Sequence, residues 1–517
     1  MNKLSYIFSA AIAFLFSIMG LTGSNDGRNS LELGTGAIAQ TSIIINPDTE
    51  SGTQMAANFQ TFVTYKYTDP MTGMEAFRLL DSLFMKSQYR LTTFTILLLC
   101  CLFFLPGCTL LNLHSESKEL EKFSELTGVV EAPDFMGKPI VVVLLLVDPM
   151  ETNQWKGVVL RTVLPRPGPF RFFAPPGTYH LGAFEDLNEN ERFQTEEPVG
   201  WYGAPDLIEL DKGLKPEGIK IVLRSPELAR SELPSLYQSS RAEISDIRKG
   251  MRLGEIVTLD DPDFSHEHGS TGLWEPLRFF NEGHSGIFFL EPYDAKKIPI
   301  LFIHGAGGYP GEWTSIINSL DRARFQPWVA FYPSGLRLDI IRNGVSNALV
   351  RLQVRHKFDS LFLVAHSMGG LVAGGVINNQ VEAGNAEYLR LLVTISTPWG
   401  GHELAASGVA NSPVVIPSWH DMVPGSPYQE AIFRQNLPDH LEYHLLFSHR
   451  GKFNVISGGN TDGAVSLKSQ LIYPAQERAR HIRGYDEDHV GILSSPTVIE
   501  HLNRIFLDRL TRDTALR

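Results

Sequence analysis

Leu361-Phe-Leu-Val-Ala-His-Ser367-Met-Gly-Gly-Leu-Val-Ala373 is the stretch that decides the fold. Its apolar beginning is typical of a buried parallel strand, and this strand ends abruptly at Ser367. Glycines follow at once, and a helical pattern begins. So tight a strand-to-helix turn exposes the serine hydroxyl and requires small residues two positions before and two positions after the serine. Ala365 and Gly369 occupy these positions, so alanine stands where glycine is more usual.

The sequence on both sides of this stretch alternates apolar strands with helical patterns. The predicted strands are Gly286–Leu290, Ile298–Ile303, Leu361–Val364, Leu391–Ile395 and Phe453–Ile456, and the predicted helices are Glu312–Ala323, Arg337–Arg355, Gly370–Glu382 and Thr497–Thr511. Apolar strands without polar alternation, separated by helices, indicate a mostly parallel sheet that is covered on both faces. We therefore predict an α/β domain over residues 253–517.

A serine in such a turn is a nucleophile only if a base removes its proton, a third group orients the base, and donors stabilise the oxyanion. A glycine-rich loop, His304-Gly-Ala-Gly-Gly308, follows one predicted strand. We predict that the backbone N–H groups of Ala306 and Met368 form the oxyanion hole. No Lys-Ser/Thr pair follows the glycines, which excludes a phosphate-binding loop. His304 is interpreted as a structural residue of the turn.

The orienting acid and the base are predicted from their order and their surroundings. Asp462 lies in a Gly/Asn-rich turn after a predicted strand, between the serine and a histidine in an acidic loop, His489. Asp462 is therefore the predicted acid and His489 the predicted base. Asp421 is the alternative acid, and His481, in a basic run, is the alternative base.

The chain order of serine, aspartate and histidine is that of α/β-hydrolases. Three further segments, Ile395-Ser-Thr-Pro-Trp-Gly-Gly401, Thr461-Asp-Gly-Ala-Val465 and Asp488-His-Val-Gly-Ile-Leu493, are similar to stretches of bacterial lipases and of inositol-deacylase-type hydrolases. Residues 298–511 thus resemble an α/β-hydrolase of the lipase/esterase type. The resemblance implies a carboxylic ester hydrolase that needs no cofactor and acts on an acyl ester, lipid esters included.

Two alternatives to ester hydrolysis stay open. The same three residues would serve a thioesterase or an acyltransferase, and the chain would alternatively be a non-catalytic surface protein that binds a partner. Residues 403–450 are predicted to be an insertion that either caps an acyl pocket or closes the local core. Its large apolar residues are Trp419, Met422, Tyr428, Phe433, Leu445 and Phe447.

The N-terminal part carries two apolar segments. Residues 1–84 begin with one of them, over residues 1–22, and otherwise contain no chemical motif. Residues 85–107 have the basic start and apolar centre of a signal peptide, and Leu105-Pro-Gly-Cys108 resembles the lipobox of bacterial lipoproteins. This predicts translation from Met85 and a lipid-anchored Cys108; a transmembrane helix over 91–113 is the alternative. Both predict a membrane-anchored protein of the cell envelope, either periplasmic or in the outer membrane.

Residues 125–225 are predicted to form a small β-sandwich, and residues 226–252 a connector. Short strands with a period near two alternate there with Pro/Gly turns. The stretch from Pro176 to Pro198 resembles carboxypeptidase-regulatory and prealbumin-like modules. Four residues in it are spaced like the ligands of a calcium loop: Asp186, Asn188, Asn190 and Glu197. The glycine expected at the sixth position is Glu191, which favours a turn that hydrogen-bonds to itself.

The composition excludes other classes. A net charge of −12 without a basic stripe argues against a nucleic-acid partner. All three cysteines, Cys100, Cys101 and Cys108, lie in the second apolar segment. The rest of the chain therefore has no disulfide, thiolate metal site or cysteine nucleophile.

Overall fold

The computed structural model describes residues 30–35, 39–44, 110–148, 159–203, 207–229, 251–451 and 459–515. The chain divides into two compact units, Met1–Gly107 and Cys108–Arg517. In the first unit, β1 (Ser30–Thr35) and β2 (Ala39–Ile44) form an antiparallel hairpin. The predicted segments 1–22 and 85–107, as well as Cys108, lie outside the described residues. Among the residues that are described, none of the helices is both long enough and apolar enough to cross a membrane.

The second unit begins with helix α1, over residues 110–120, and continues into two small sheets. One sheet has the order β10-β3-β6, and the other has the order β5-β4-β7-β8, with β9 paired to β7. Apolar side chains from both sheets meet in one buried core. The strands are β3 (Ser124–Glu131), β4 (Ile140–Asp148), β5 (Val159–Leu164), β6 (Gly168–Ala174), β7 (Gly177–Glu185), β8 (Val199–Trp201), β9 (Ile208–Leu210) and β10 (Ile219–Val222).

A large sheet of eight strands follows, in the order β11-β12-β14-β13-β15-β16-β17-β18. The six strands from β14 to β18 are parallel, and β12 pairs antiparallel to β14. The strands are β11 (Arg252–Ile256), β12 (Gly286–Phe289), β13 (Ile298–Ile303), β14 (Phe325–Phe331), β15 (Leu361–His366), β16 (Leu389–Ile395), β17 (Glu442–Ser448) and β18 (His481–Tyr485).

Helices cover both faces of the large sheet. The helices after α1 in chain order are α2 (Pro226–Ala229), which contacts β8, and then α3 (His266–Trp274), α4 (Pro276–Asn281), α5 (Thr314–Asn318), α6 (Leu338–His356), α7 (Met368–Glu382), α8 (Glu403–Asn411), α9 (Pro417–Met422), α10 (Pro427–Ile432), α11 (Leu467–Gln470), α12 (Tyr473–Arg478) and α13 (Pro496–Ala515). Successive residues of a strand point to opposite faces, so β15 contributes to two cores. Leu361 and Leu363 pack against α6 and α7, whereas Phe362 and Val364 pack against α13.

The insertion predicted for residues 403–450 is shorter in the structure. Glu442–Ser448 forms β17, which lies inside the large sheet between β16 and β18. The helices of this region are α8, α9 and α10, and Met422 and Tyr428 are buried in the same core as the apolar residues of α6 and α7. Leu445 is therefore a sheet residue with 1% of its surface exposed and takes no part in a cap. The predicted strand Phe453–Ile456 lies outside the described residues.

The small sheets dock onto the large domain through α6. Apolar side chains of β4, β5, β7 and β8 form a buried cluster with Val350 of α6. Asn347 accepts a hydrogen bond from the backbone N–H of Val163 (3.0 Å) and donates one to the carbonyl of Arg161 (3.1 Å). Arg351 contacts the Glu191 carboxylate at 2.7 Å. Backbone, apolar and ionic contacts thus converge on one face of this helix.

Candidate active site

Ser367 sits in a strained turn between β15 and α7. Its backbone has φ 54° and ψ −131°, a left-handed conformation that is rare for a residue with a side chain. Gly369 permits the turn, because a β-carbon there would lie 2.4 Å from the carbonyl oxygens of Ile303 and His304. The small residue predicted at this position is therefore required by the close approach of β13. The turn leaves the serine hydroxyl partly exposed at the C-terminal edge of the sheet.

The structure brings Ser367, His489 and Asp462 together in one chain of hydrogen bonds. His489 Nε2 lies 2.9 Å from Ser367 Oγ, and His489 Nδ1 lies 2.8 Å from Asp462 Oδ2. The backbone N–H of His489 also donates to the Asp462 carbonyl at 2.9 Å. The side chain of His366 reaches the His489 carbonyl at 2.8 Å and fixes the loop from the other end. The imidazole is thus held by its neighbours in an orientation that suits proton transfer from the serine.

The Asp462 carboxylate is fully buried and has five hydrogen-bond donors. Oδ1 accepts from the backbone N–H groups of Ala464 (3.0 Å) and Val465 (2.7 Å). Oδ2 accepts from Ser448 Oγ at 2.6 Å and Gln470 Nε2 at 3.1 Å, in addition to His489. Ser448 and Gln470 were not predicted from the sequence, because each reaches Asp462 only when β17 and α11 come together.

Burial alone would raise the pKa of Asp462, but the charge of His489 and these donors outweigh it and lower the pKa to about 2. Burial likewise disfavours the charged form of His489. The Coulombic attraction of Asp462 and the hydrogen bond to it prevail, so the pKa of His489 is raised above its ordinary value. Asp462 therefore stays ionised at neutral pH and stabilises an imidazolium.

The glycine-rich loop lies directly beside the serine. A β-carbon at Gly305 would be 2.8 Å from Ser367 Cβ and 3.3 Å from its Oγ. Ala306, the next residue, is exposed, whereas the side chain of Met368 is buried at the start of α7. Ala306 follows Gly305 in the chain, and Met368 follows Ser367. Both predicted oxyanion donors are thus next to the two residues that approach each other at the site. Backbone donors in this place are what stabilisation of a tetrahedral oxyanion requires.

His304 has a structural role, as predicted from its place in the turn. Its ring is fully buried, stacks on Tyr332 with ring centroids 4.1 Å apart, and contacts the Gly305 carbonyl at 2.7 Å. Burial lowers the pKa of His304 to about 4. The side chain is therefore neutral at physiological pH and anchors the loop.

Glu312 is a second carboxylate at the site, and sequence reasoning did not identify it. Its Oε2 lies 2.9 Å from the place that a β-carbon on Gly308 would take, so the carboxylate touches the glycine-rich loop. Burial raises the pKa of Glu312 to about 7, against an opposing effect of His489. In return, the charge of Glu312 favours protonated His489. Three carboxylates therefore favour the protonated base: Asp462, which is hydrogen-bonded to it, and Glu312 and Asp488, which act through their charge.

The alternative acid and base have other roles. Asp421 accepts two hydrogen bonds from Arg337, at 2.6 and 2.9 Å, and one from the backbone N–H of Leu338 at 2.7 Å. It therefore caps the start of α6. His481 lies exposed on β18 at the sheet edge, with its ring centroid 4.8 Å from that of His444.

The four candidate calcium ligands form a turn whose oxygens accept backbone N–H groups. Asp186 accepts from Asn190 (3.1 Å) and Glu191 (2.7 Å), and Glu197 accepts from Leu187 (2.9 Å) and Gln194 (2.8 Å). The side chains of Asn188 and Asn190 accept further N–H groups of the same loop. Burial raises the pKa of Glu197 to about 7. These contacts favour the self-bonded turn over a calcium loop, since the oxygens already have partners.

No protein-family model and no curated protein sequence matches the chain. Among solved structures, a Bacillus licheniformis lipase in its mature form is 17% identical, with a TM-score of 0.35 over 42% of this chain and 97% of that one. The product of gene lin2722 from Listeria innocua is 18% identical, with a TM-score of 0.32 over 40% and 92%. A Vlm2 thioesterase domain is 14% identical, with a TM-score of 0.29 over 43% and 97%.

These likenesses are too distant to carry an argument about activity. The fold is instead evident from the described residues: a mostly parallel eight-stranded sheet, its strand order, and a serine in a strained turn between the central strand β15 and α7. The described residues between 252 and 515 adopt the α/β-hydrolase fold.

Proposed function

We propose that the protein is a serine hydrolase that cleaves carboxylic esters through an acyl-enzyme. The observation that carries this proposal is the continuous chain of short contacts from Ser367 Oγ through His489 to Asp462, with distances of 2.9 and 2.8 Å. The aspartate is buried with five donors, and the serine lies in a strained turn. The stability of the fold does not require these two side chains to align with a histidine between them, whereas catalysis does.

In the proposed mechanism, Ser367 Oγ attacks the acyl carbonyl carbon while His489 Nε2 takes the hydroxyl proton. The N–H groups of Ala306 and Met368 stabilise the oxyanion. The tetrahedral intermediate collapses, the ester C–O bond breaks, and His489 returns the proton to the leaving alcohol. Water, deprotonated by His489, then attacks the acyl-enzyme, releases the carboxylic acid and restores the serine.

A fluorophosphonate probe tests the nucleophile. We expect wild-type protein to be labelled at Ser367 and the Ser367→Ala variant to lose labelling. Ser407→Ala, at an exposed serine of α8, is the matched control and should be labelled like the wild type. Absence of wild-type labelling, or labelling of Ser367→Ala at the wild-type level, would contradict the proposal and favour a non-catalytic binding protein.

The substrate class is tested with a series of p-nitrophenyl esters of increasing acyl length and with matched acyl thioesters. The proposal expects higher kcat/KM on the oxygen esters. A preference for the thioesters by tenfold or more would instead assign the same residues to a thioesterase, and acyl transfer to an added alcohol would assign them to an acyltransferase.

The same proposal includes attachment to a membrane through Cys108. It is supported by the sequence alone: a basic start, an apolar centre and the Leu105–Cys108 motif. Mass spectrometry of the N-terminal peptide of the purified protein is the test. An acylated Cys108 at the mature N-terminus is expected, and a peptide with unmodified Cys108 still joined to Gly107 would refute the anchor.

A further inference from the structure

Two histidine side chains and one aspartate side chain lie close together beside α3. Asp263 precedes α3, His268 lies in its first turn, and His284 comes just before β12. One ligand atom of each residue lies within 4.8 Å of the other two. The rings of His268 and His284 stack with centroids 4.1 Å apart. We call these three residues the histidine–aspartate cluster.

Each imidazole in the cluster uses one nitrogen to contact an oxygen outside the cluster's centre. His268 Nδ1 lies 3.0 Å from the backbone carbonyl of Asp263, and His284 Nε2 lies 3.3 Å from the Glu282 carboxylate. Because these oxygens only accept, both nitrogens carry the proton. The lone pairs therefore remain on His268 Nε2 and His284 Nδ1. This is the outer-shell arrangement that orients metal-binding histidines.

His284 supplies the strongest sign of a missing partner. Its side chain is only 7% exposed, and its Nδ1 has no hydrogen-bond partner among the residues that the structure describes. Asp263 Oδ1 lies 3.5 Å from this nitrogen. A buried nitrogen lone pair without a donor is costly unless a proton donor or a cation satisfies it.

The charges around the cluster suit a cation. Asp263 Oδ2 is held by Arg252 at 2.7 Å, which leaves Oδ1 facing His284. The positive charge of Arg252 is itself balanced by two contacts of 2.6 Å with the Glu255 carboxylate.

A second group of one carboxylate and two histidines is less suitable for binding a cation. Glu442, His444 and His481 also lie close together. However, Arg512 contacts Glu442 at 2.7 Å and Arg509 contacts it at 3.5 Å. These arginines neutralise the only carboxylate of the trio, so a divalent cation would meet net positive charge there.

We propose that Asp263 Oδ1, His268 Nε2 and His284 Nδ1 bind one divalent transition-metal ion of the zinc class, with water as the fourth ligand. Zinc–nitrogen bonds of about 2.0–2.1 Å imply ligand-to-ligand distances of roughly 3.3 Å in a tetrahedral site. The cluster reaches this geometry if the stacked rings splay and close on the ion. The site does not depend on the proposed ester hydrolysis.

Binding at this place would brace the glycine-rich loop. Gly269, next to His268, packs so closely that a β-carbon there would lie 2.7 Å from the Gly307 carbonyl oxygen and 2.8 Å from that of Gly308. An ion that joins the Asp263 turn, α3 and the start of β12 therefore holds the helix on which this loop rests.

The test is zinc binding by the full-length, tag-free protein after removal of bound metal with a chelator. Calorimetric titration with Zn²⁺ and elemental analysis should give one equivalent that His268→Gln, His284→Gln and Asp263→Asn each lose. Glu282→Ala should weaken binding by about 10–100-fold, since it removes the outer-shell acceptor of His284 and none of the proposed ligands. Zn²⁺ should raise the Tm of the wild type and leave that of the three ligand variants unchanged.

Controls separate the cluster from other zinc ligands and from the proposed activity. His444→Gln and Ser367→Ala should bind the same equivalent with wild-type affinity. The partly exposed His268 and Asp263 variants, with folding verified by circular dichroism, keep the test valid if the buried His284→Gln does not fold. The proposal is wrong if the wild type binds no zinc, or if folded His268→Gln and Asp263→Asn retain the equivalent.

Discussion

The protonation of His489 depends on Asp462, which it contacts, and on the charges of Glu312 and Asp488. Burial works against the imidazolium, yet the pKa of His489 is raised because the hydrogen bond to Asp462 and the negative charges of the three carboxylates prevail. A base must be neutral to accept the serine proton, so the free enzyme becomes active as the pH rises through this pKa. At the residue scale, the pH dependence of the proposed activity should therefore be set by the carboxylates around the base.

We expect the acid limb of kcat/KM to lie above pH 6.5, the ordinary value for histidine. Glu312→Gln removes a charge that favours the imidazolium, so the limb should move to lower pH while most of kcat is kept. The measurement is a pH–rate profile on a p-nitrophenyl ester. Glu500→Gln, on the exposed face of α13, is the control and should not move the limb. An unchanged limb in Glu312→Gln would show that this carboxylate does not act on His489.

Asp462→Asn tests the orienting acid. The amide keeps the shape of the side chain but favours the wrong imidazole tautomer and cannot stabilise the imidazolium. We expect kcat to fall by about 10⁴-fold with little change in KM. Near-wild-type turnover would exclude Asp462 from this role, whereas a loss of folding, visible by circular dichroism, would reflect only its buried hydrogen bonds.

At the scale of elements, the unit that matters is β15, the turn at Ser367 and α7. The strand is buried on both faces, so its backbone cannot shift to relieve the strained serine. The strain is maintained by the packing of the glycines in the first turn of α7 against β13 and the loop after β16.

Gly369→Ala is expected to destabilise the protein by about 1–3 kcal/mol, because overpacking forces the backbone of β13 away from the turn. The free energy of unfolding in urea is the measurement. Gly168→Ala is the matched control, since the nearest atom to a β-carbon there is 3.8 Å away. If the two variants are equally stable, the turn can accommodate a β-carbon at Gly369, and the expectation is wrong.

At the scale of the whole second unit, the loop that resembles a calcium site connects the small sheets to the large domain. Glu191 stands where a calcium loop has glycine, and it adopts φ 57°. Its carboxylate meets Arg351 of α6, with only 15% and 16% of the two side chains exposed. The residue that departs from the calcium pattern thus makes one of the docking contacts.

Arg351→Ala should therefore reduce the free energy of docking by about 2 kcal/mol. The variant removes a charge-assisted hydrogen-bond partner from the largely buried Glu191 carboxylate. Calorimetry should show a lower Tm or a separate transition for the small sheets. Lys220→Ala, which removes an exposed pair with Glu131, is expected to change stability by less than about 1 kcal/mol. If both variants behave alike, the apolar cluster around Val350 alone holds the two parts together.

Local sequence was sufficient for the features that depend on neighbours in the chain. The apolar run before Ser367, the small residues around it and the glycines after His304 each predict a strand or a tight turn, because backbone sterics act over a few residues. The order of the three site residues then selected the α/β-hydrolase fold. The structure agrees with this fold and brings the three residues into contact.

Only the tertiary structure placed β17 and β18. β17 contains Glu442, which would be costly in a buried strand without the arginines that approach it from α13. The sequence of β18 is part of a basic run with no apolar strand pattern. It forms a strand because it pairs with β17 at the sheet edge. The predicted insertion over residues 403–450 was therefore too long, because it included β17.

Ser448, Gln470 and Glu312 were also determined by the fold. Ser448 and Gln470 donate to Asp462 from separate elements, and Glu312 touches the loop at Gly308 from the turn that follows it. By itself, the sequence determined which residues are able to do the chemistry, because that depends on residue type and local turn. The charges and donors that tune these residues were decided by long-range packing, because electrostatics and hydrogen bonds depend on distance in space and not along the chain.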